Sequence, residues 1–263
     1  MRKIIPAVFL VLTCLCSCSD LNNAAKLKPD NAYQAKPDHT VQVKPDDAIV
    51  HSNRGIAYQN QGQYQHAIEE YNKAIRLKPD LAEVYSNRGI AYDKLGQYQR
   101  AISDYNEAVR LKPDLAEIYS NRGIVYAKLG QHQRAIDDYN EAIRLRPDFA
   151  EAHNNKGTAY NHLGRYQQAI EDFSQAIRLK PADATLYYNR GIAYDNHGKL
   201  KHAIEDFSKA ISLKPANASY YTNRAGAYFM QGNKKLFCRD IQKACTLGDC
   251  SLSEMAKGKR YCP

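Results

Sequence analysis

The side chains in this 263-residue sequence with most scope for chemistry are seven cysteines, eight histidines and a series of adjacent acids. Four cysteines, Cys238, Cys245, Cys250 and Cys262, crowd the C-terminus, an even number that reads as a pair of disulfides. Cys238 and Cys245 lie on one helical stretch, ~10.5 Å apart by helix rise, too far to join each other. Two pairings stay open: Cys238 with Cys250 and Cys245 with Cys262, or Cys238 with Cys262 and Cys245 with Cys250. A cysteine-only zinc site is disfavoured, because there is no CxxC and no histidine beyond His202. The acids Glu69-Glu70, Asp137-Asp138, Glu171-Asp172 and Glu205-Asp206 have the look of acid–base dyads. Neighbours in a helix point in different directions, so they read as a solvated face instead. The histidines are scattered, and none pairs with a nucleophile at a position independent of the repeat; there is no glycine-rich phosphate loop. The chain is therefore read as a non-enzyme, with no metal and no cofactor.

The other three cysteines belong to a leader. Arg2 and Lys3 form a charged start, and Ile4 to Leu15 an apolar stretch too short to span a bilayer comfortably. It ends in Leu15-Cys16-Ser17-Cys18, which resembles the bacterial lipobox, where an aliphatic and two small residues precede the cysteine that is diacylated. That resemblance implies cleavage after residue 17 and lipidation of Cys18; an ordinary signal peptide cleaved nearby is the alternative. Cys14 fits less well, since Leu12 and Thr13 precede it. The chain is thus expected to be exported and held at the membrane of a bacterial cell envelope, facing the periplasm or the surface. Residues 18–47 carry Lys-Pro-Asp three times at an eight-residue spacing. Eight residues cannot make a helical hairpin, so this stretch is expected to be an extended tether.

From residue 48 the sequence repeats every 34 residues, and the elements that position these side chains follow from that period. Prolines recur at Pro79, Pro113, Pro147, Pro181 and Pro215; glycines recur at Gly55, Gly89, Gly123, Gly157 and Gly191. Within one period, Tyr85, Gly89 and Tyr92 share a helical stripe, Gly96 breaks the chain, and Tyr98, Ala101, Ile102, Tyr105 and Ala108 form a second stripe. Pro113 cannot extend that second helix. Asp80 with Glu83, Asp114 with Glu117 and Asp148 with Glu151 have capping-box spacing and are expected to start the first helices. Of 20 tyrosines, most fall in the four columns typified by Tyr85, Tyr92, Tyr98 and Tyr105, and are expected to be core knobs. His51 and His153 occupy the Tyr85 column and His132 the Tyr98 column.

This pattern resembles the tetratricopeptide-repeat (TPR) family over about residues 48–247, six units of which the last is degenerate, with Phe237 in a small-alanine slot. Tyr85, Gly89, Tyr92, Ala101, Tyr105 and Pro113 match its signature. One departure is systematic: Arg54, Arg88, Arg122, Lys156, Arg190 and Arg224 stand where the family usually has leucine before the glycine. The resemblance implies an all-α, right-handed superhelical solenoid of about six helix-turn-helix repeats. Residues 248–263 would cap it, with a short helix from Ser251 to Lys259 over the last repeat. It further implies a concave face lined by first helices, holding Asp93, Lys94, Lys128, Asn161 and a complete asparagine column: Asn53, Asn87, Asn121, Asn155, Asn189 and Asn223. An amide that donates and accepts can hold the backbone of an extended peptide. The same asparagines could equally satisfy groups between repeats. The carboxylate clamp of chaperone-binding members is incomplete, since Ser86, Ser120, Ile90 and Ile124 stand at places it needs.

Function then reads as a protein–protein interaction scaffold, with other proteins as partners, the membrane reached through the lipid anchor, and a homo-oligomer compatible with the same surface. The net charge of +9 includes Arg2 and Lys3 of the leader. It opens a second reading, a basic helical-repeat solenoid that binds RNA or another anionic polymer. Export and tyrosines assigned to the core count against nucleic acid.

Overall fold

The computed structural model describes residues 45–258 and Cys262. The leader, Cys18 and most of the tether lie outside these residues. Twelve helices pair into six hairpins. The first three are α1 (Pro45–Asn60) with α2 (Tyr64–Leu77), α3 (Ala82–Lys94) with α4 (Tyr98–Leu111), and α5 (Ala116–Lys128) with α6 (His132–Leu145). The next three are α7 (Ala150–His162) with α8 (Tyr166–Leu179), α9 (Ala184–Asn196) with α10 (Leu200–Leu213), and α11 (Ala218–Met230) with α12 (Lys234–Thr246). A short α13 (Ser251–Gly258) packs on α12. The first helix begins at Pro45 and so takes in three residues assigned from sequence to the tether.

Each helix packs on its hairpin partner and on the start of the next hairpin, the pattern of an all-α solenoid. First helices also approach the first helices of neighbouring units, whereas second helices make no comparable approach. The stack therefore curves with its first helices on the inside. A glycine at positive φ, such as Gly96 at 73°, turns the chain inside each hairpin.

The glycine before that turn has another purpose. A Cβ on Gly89 would stand 2.9 Å from Tyr105, and one on Gly123 would stand 2.7 Å from Tyr139. The aromatic ring of the second helix lies against the bare backbone of the first. These rings (Tyr71, Tyr105, Tyr139, Phe173, Phe207) are fully buried, and burial pushes the Tyr71 hydroxyl up to about 12. In the other three columns most tyrosines are half-buried and pack against the core clusters, as Tyr85, Tyr92 and Tyr98 do, and Tyr221 is buried.

The capping boxes do not form. The residues before α3, α5 and α7 are Leu81, Leu115 and Phe149, with no side-chain cap. Leu81 and Leu115 pack into the core instead, which displaces Asp80 and Asp114 by one position. Where proline is followed by alanine, the polar residue stands at the cap itself: Asp183 accepts from the Thr185 N–H and Asn217 from the Ser219 N–H. The first-turn glutamates bridge units: Glu83 pairs with Lys112 at 3.6 Å, Glu117 with Arg146, and Glu151 with Lys180.

The sixth unit closes the stack. Ala225 replaces the glycine and Ile241 the aromatic, a smaller knob against a backbone that now carries a methyl. Phe237, in its alanine slot, joins Ile241, Leu252 and Ala256 in a terminal cluster. Cys238 is bonded to Cys262 and Cys245 to Cys250, one of the two open pairings.

Candidate partner-binding groove

The arginine column and the acid column, separate in the sequence, meet in the structure. Arg88 donates through Nε and Nη2 to both carboxylate oxygens of Asp104, at 2.8 and 2.6 Å. Arg122 does the same to Asp138, Arg190 to Asp206 and Arg224 to Asp240. Lys156 reaches Asp172 at 3.1 Å. The second acid of each pair is thus buried, not on a solvated face, and the sequence reading of that column is corrected. Adjacent acids do point apart, but inward-pointing ones were missed because their counter-charge lies 16 residues away. The remaining guanidinium nitrogen donates back to the previous unit: Arg88 to Asn72, Arg122 to Asn106, Arg190 to Ser174 and Arg224 to Ser208. Each arginine therefore ties its own hairpin to the one before. Arg88 also lies over the Tyr85 and Tyr92 rings, at 5.6 and 5.8 Å. Where the Tyr85 column carries histidine, the ring bonds the acid directly: His51 to Glu70 at 2.6 Å and His153 to Asp172 at 3.0 Å. These buried charges are spent on the fold, one base against one acid in each unit.

What faces the inner wall divides by position. Asn87 and Asn121 are half-buried and have no side-chain partner among the described residues; Asn53 is exposed in the same state. Farther along, Asn189 donates to Asn154 at 2.9 Å, Asn154 to Asn155 at 3.3 Å, and Asn223 to the Tyr188 hydroxyl at 3.0 Å. One column thus serves two ends: its first half offers open amides, and its second half joins first helices to each other. Two other expected groove residues satisfy one another, Lys128 donating to Asp93 at 2.6 Å across adjacent units. Asn161 accepts from Asn196 at 3.2 Å, and Lys94 is exposed.

Two depressions adjoin on this wall. One of 360 Å³ is bounded by Ser120, Asn121, Ile124, Phe149, Asn155 and Leu186. The other, of 280 Å³, shares Ile124 and Asn155 and continues to Lys128, His132, Thr158 and His162. His132 and His162 stack with ring centroids 4.8 Å apart and planes 2° from parallel. Burial and the neighbouring His162 hold the His132 imidazole below its ordinary value, and its Nδ1 is buried without a partner among the described residues. The arrangement is an apolar floor with amides, weak bases, the Glu151–Lys180 pair and Asp183 around it, suited to holding an extended chain by its backbone. The sequence pointed to the asparagines; the histidine pair was hidden, because its members sit 30 positions apart in different columns.

A tetratricopeptide-repeat model matches residues 120–184, another described as TPR repeat matches 60–96 and 91–130, and a third, tetratricopeptide repeat, matches 184–217. No curated protein matches. Among solved structures, MamA from Desulfovibrio magneticus RS-1 is 27% identical with a TM-score of 0.61, over 63% of this chain and 94% of that one. A tetratricopeptide-repeat protein from Parabacteroides merdae ATCC 43184 shares 24% identity and a TM-score of 0.68, over 78% and 81%. YrrB, described as a TPR protein with an unusual peptide-binding site, shares 23% and 0.61, over 72% and 97%.

Proposed function

The chain belongs to the tetratricopeptide-repeat family and is a scaffold for protein interaction, and from that premise we propose that its inner wall holds an extended segment of a partner protein. The observation that carries this reading is the pair of adjoining depressions spanning α5, α7 and the start of α9, rimmed by Asn121 and Asn155. Asn121, with no side-chain partner among the described residues, keeps both its donors and its acceptor for a peptide backbone, and Asn155, which accepts from Asn154, keeps its donors. The description of YrrB as peptide-binding supports the same use of a related fold. In-cell crosslinking with the wild type and with Asn87→Ala/Asn121→Ala/Asn155→Ala tests it. A discrete partner captured by the wild type and lost from the variant is the expected result. The same proteins captured by both would remove the asparagine wall as the binding surface.

The same proposal extends to location: export, lipidation of Cys18 and residence in a bacterial cell envelope. Leu15-Cys16-Ser17-Cys18 supports it, and so do the two C-terminal disulfides, which suit an oxidising compartment. Labelling with a radioactive fatty acid should mark the wild type and not Cys18→Ser. Equal labelling of both, or none of either, would refute the anchor.

A further inference from the structure

First helices of neighbouring units are joined along the inner wall in one register, residue i of one unit facing residue i+35 of the next. Lys128 meets Asp93 in this register at 2.6 Å, and Asn196 meets Asn161 at 3.2 Å. The same register sets Asp195 on α9 opposite Met230 on α11. Asp195 is the acid of its column, equivalent to Asp93, but the position that should carry its base is a methionine, 71% exposed. Asp195 is half-buried and has no side-chain partner among the described residues. The one base on each of α9 and α11 is engaged elsewhere: Arg190 with Asp206 and Arg224 with Asp240. A carboxylate withdrawn from water without a counter-charge is costly, and burial pushes the Asp195 carboxyl up from its ordinary value.

A second, independent feature leaves open space one turn before Met230 on the same face of α11. The column that holds Ile90, Ile124 and Ile192 carries glycine at 226, also on α11. No heavy atom lies within 4 Å of where a Cβ on Gly226 would stand. The sixth unit has therefore lost both the base that would neutralise Asp195 and the branched side chain one turn before it. What fits is a long side chain with an apolar stem to lie along Met230 and a cationic head to reach the carboxylate. One carboxylate alone suits a lysine or arginine better than a metal ion, which needs several oxygen ligands.

We propose that Asp195 is a specificity site of the groove, and that it binds a lysine or arginine side chain of the partner segment. The site rests on the groove reading above. The cation completes in trans the pair that Lys128 and Asp93 make within the chain.

A displayed library of random decapeptides, selected on the full chain, tests this. The wild type should enrich peptides with lysine or arginine at one fixed place. Asp195→Asn should lose that preference and weaken the selected peptides roughly tenfold, the scale of a charge-assisted hydrogen bond. Asp195→Lys should change it to glutamate or aspartate. Met230→Lys should occupy the carboxylate as Lys128 occupies Asp93, and Gly226→Ile should fill the space; both should abolish the preference while leaving the helical circular dichroism of the wild type. Peptides enriched without a cationic preference, or with one that survives Asp195→Asn, would overturn the site and leave the groove standing. No enrichment of any peptide by the wild type would overturn the groove and the site together.

Discussion

Replacing Arg122 by leucine, the residue the family usually has there, would leave the Asp138 carboxylate buried without its counter-charge. The two side chains are 16% and 8% exposed, so solvent screens the pair little. Asp138 holds Arg122 firmly protonated, chiefly through the hydrogen bond between them, while burial pushes the Asp138 carboxyl up despite the arginine. The pair carries a desolvation cost, and its value lies in fixing which hairpin stacks on which. Arg122→Leu should cost about 3–5 kcal/mol, whereas Arg122→Met/Asp138→Leu should lie within about 1–2 kcal/mol of the wild type. Urea midpoints of the three proteins, with the double-mutant coupling extracted, measure this; equal losses in single and double variants would contradict it. His132 gives a second residue-scale expectation. Its folded value lies below that of the unfolded chain, so the unfolded state binds more protons on acidification. Its neutral form's contribution is fully present above the ordinary histidine value of about 6.5 and is lost as pH falls through it toward the depressed value. His132→Tyr, which restores the column residue, should lose less stability than the wild type between about pH 7 and pH 5. Parallel losses in the two proteins would show that the buried Nδ1 has no such effect.

Within a hairpin, the glycine of the first helix and the ring of the second act as one packing unit. Gly123→Ala would gain about 1 kcal/mol of helix propensity. It would also drive a methyl to 2.7 Å from Tyr139, where overpacking costs ~1–3 kcal/mol. The net effect should be destabilising, and Tyr139→Ile should blunt it, since the sixth unit already combines Ala225 with Ile241. Thermal unfolding of the two singles and the double should give a favourable coupling; additivity would mean that the ring moves aside freely. The elements themselves were legible because their signals are periodic: Pro113 and Gly96 punctuate, and Tyr105 with Ala108 marks a stripe. Helix starts were less so. Asp80 and Glu83 have the spacing of a capping box, but burying Leu81 shifts the start by one residue, and that gain belongs to packing between units. The acids of the Asp138 column were misread for a related reason. Spacing along one helix shows which neighbours diverge, and says nothing about an arginine 16 positions earlier.

A solenoid's stability is close to a sum of unit and neighbour terms, so an end that lacks a neighbour must be secured in another way. Here the described C-terminal end departs from the repeat at every level. Phe237 fills an alanine slot, Ile241 replaces the ring, α13 covers the cluster, and two disulfides lie in or beside it. The Cys238–Cys262 bond closes 24 residues of sequence separation, a loop for which chain entropy gives about 3 kcal/mol. Because units couple mainly to nearest neighbours, that contribution should stay local. Cys238→Ser/Cys262→Ser should raise amide hydrogen exchange across α11, α12 and α13, and to a smaller degree in α10. Exchange in α3 to α6 should be unchanged. The whole solenoid loosening together would instead mean that it unfolds as one cooperative block, and that the bond stabilises every unit. Asp195 lies in the fifth unit and Met230 in the sixth, so the same experiment bears on the groove. If exchange rises in α11 and cationic peptides bind more weakly, the disulfide holds the last wall of the groove in place as well as the end of the stack.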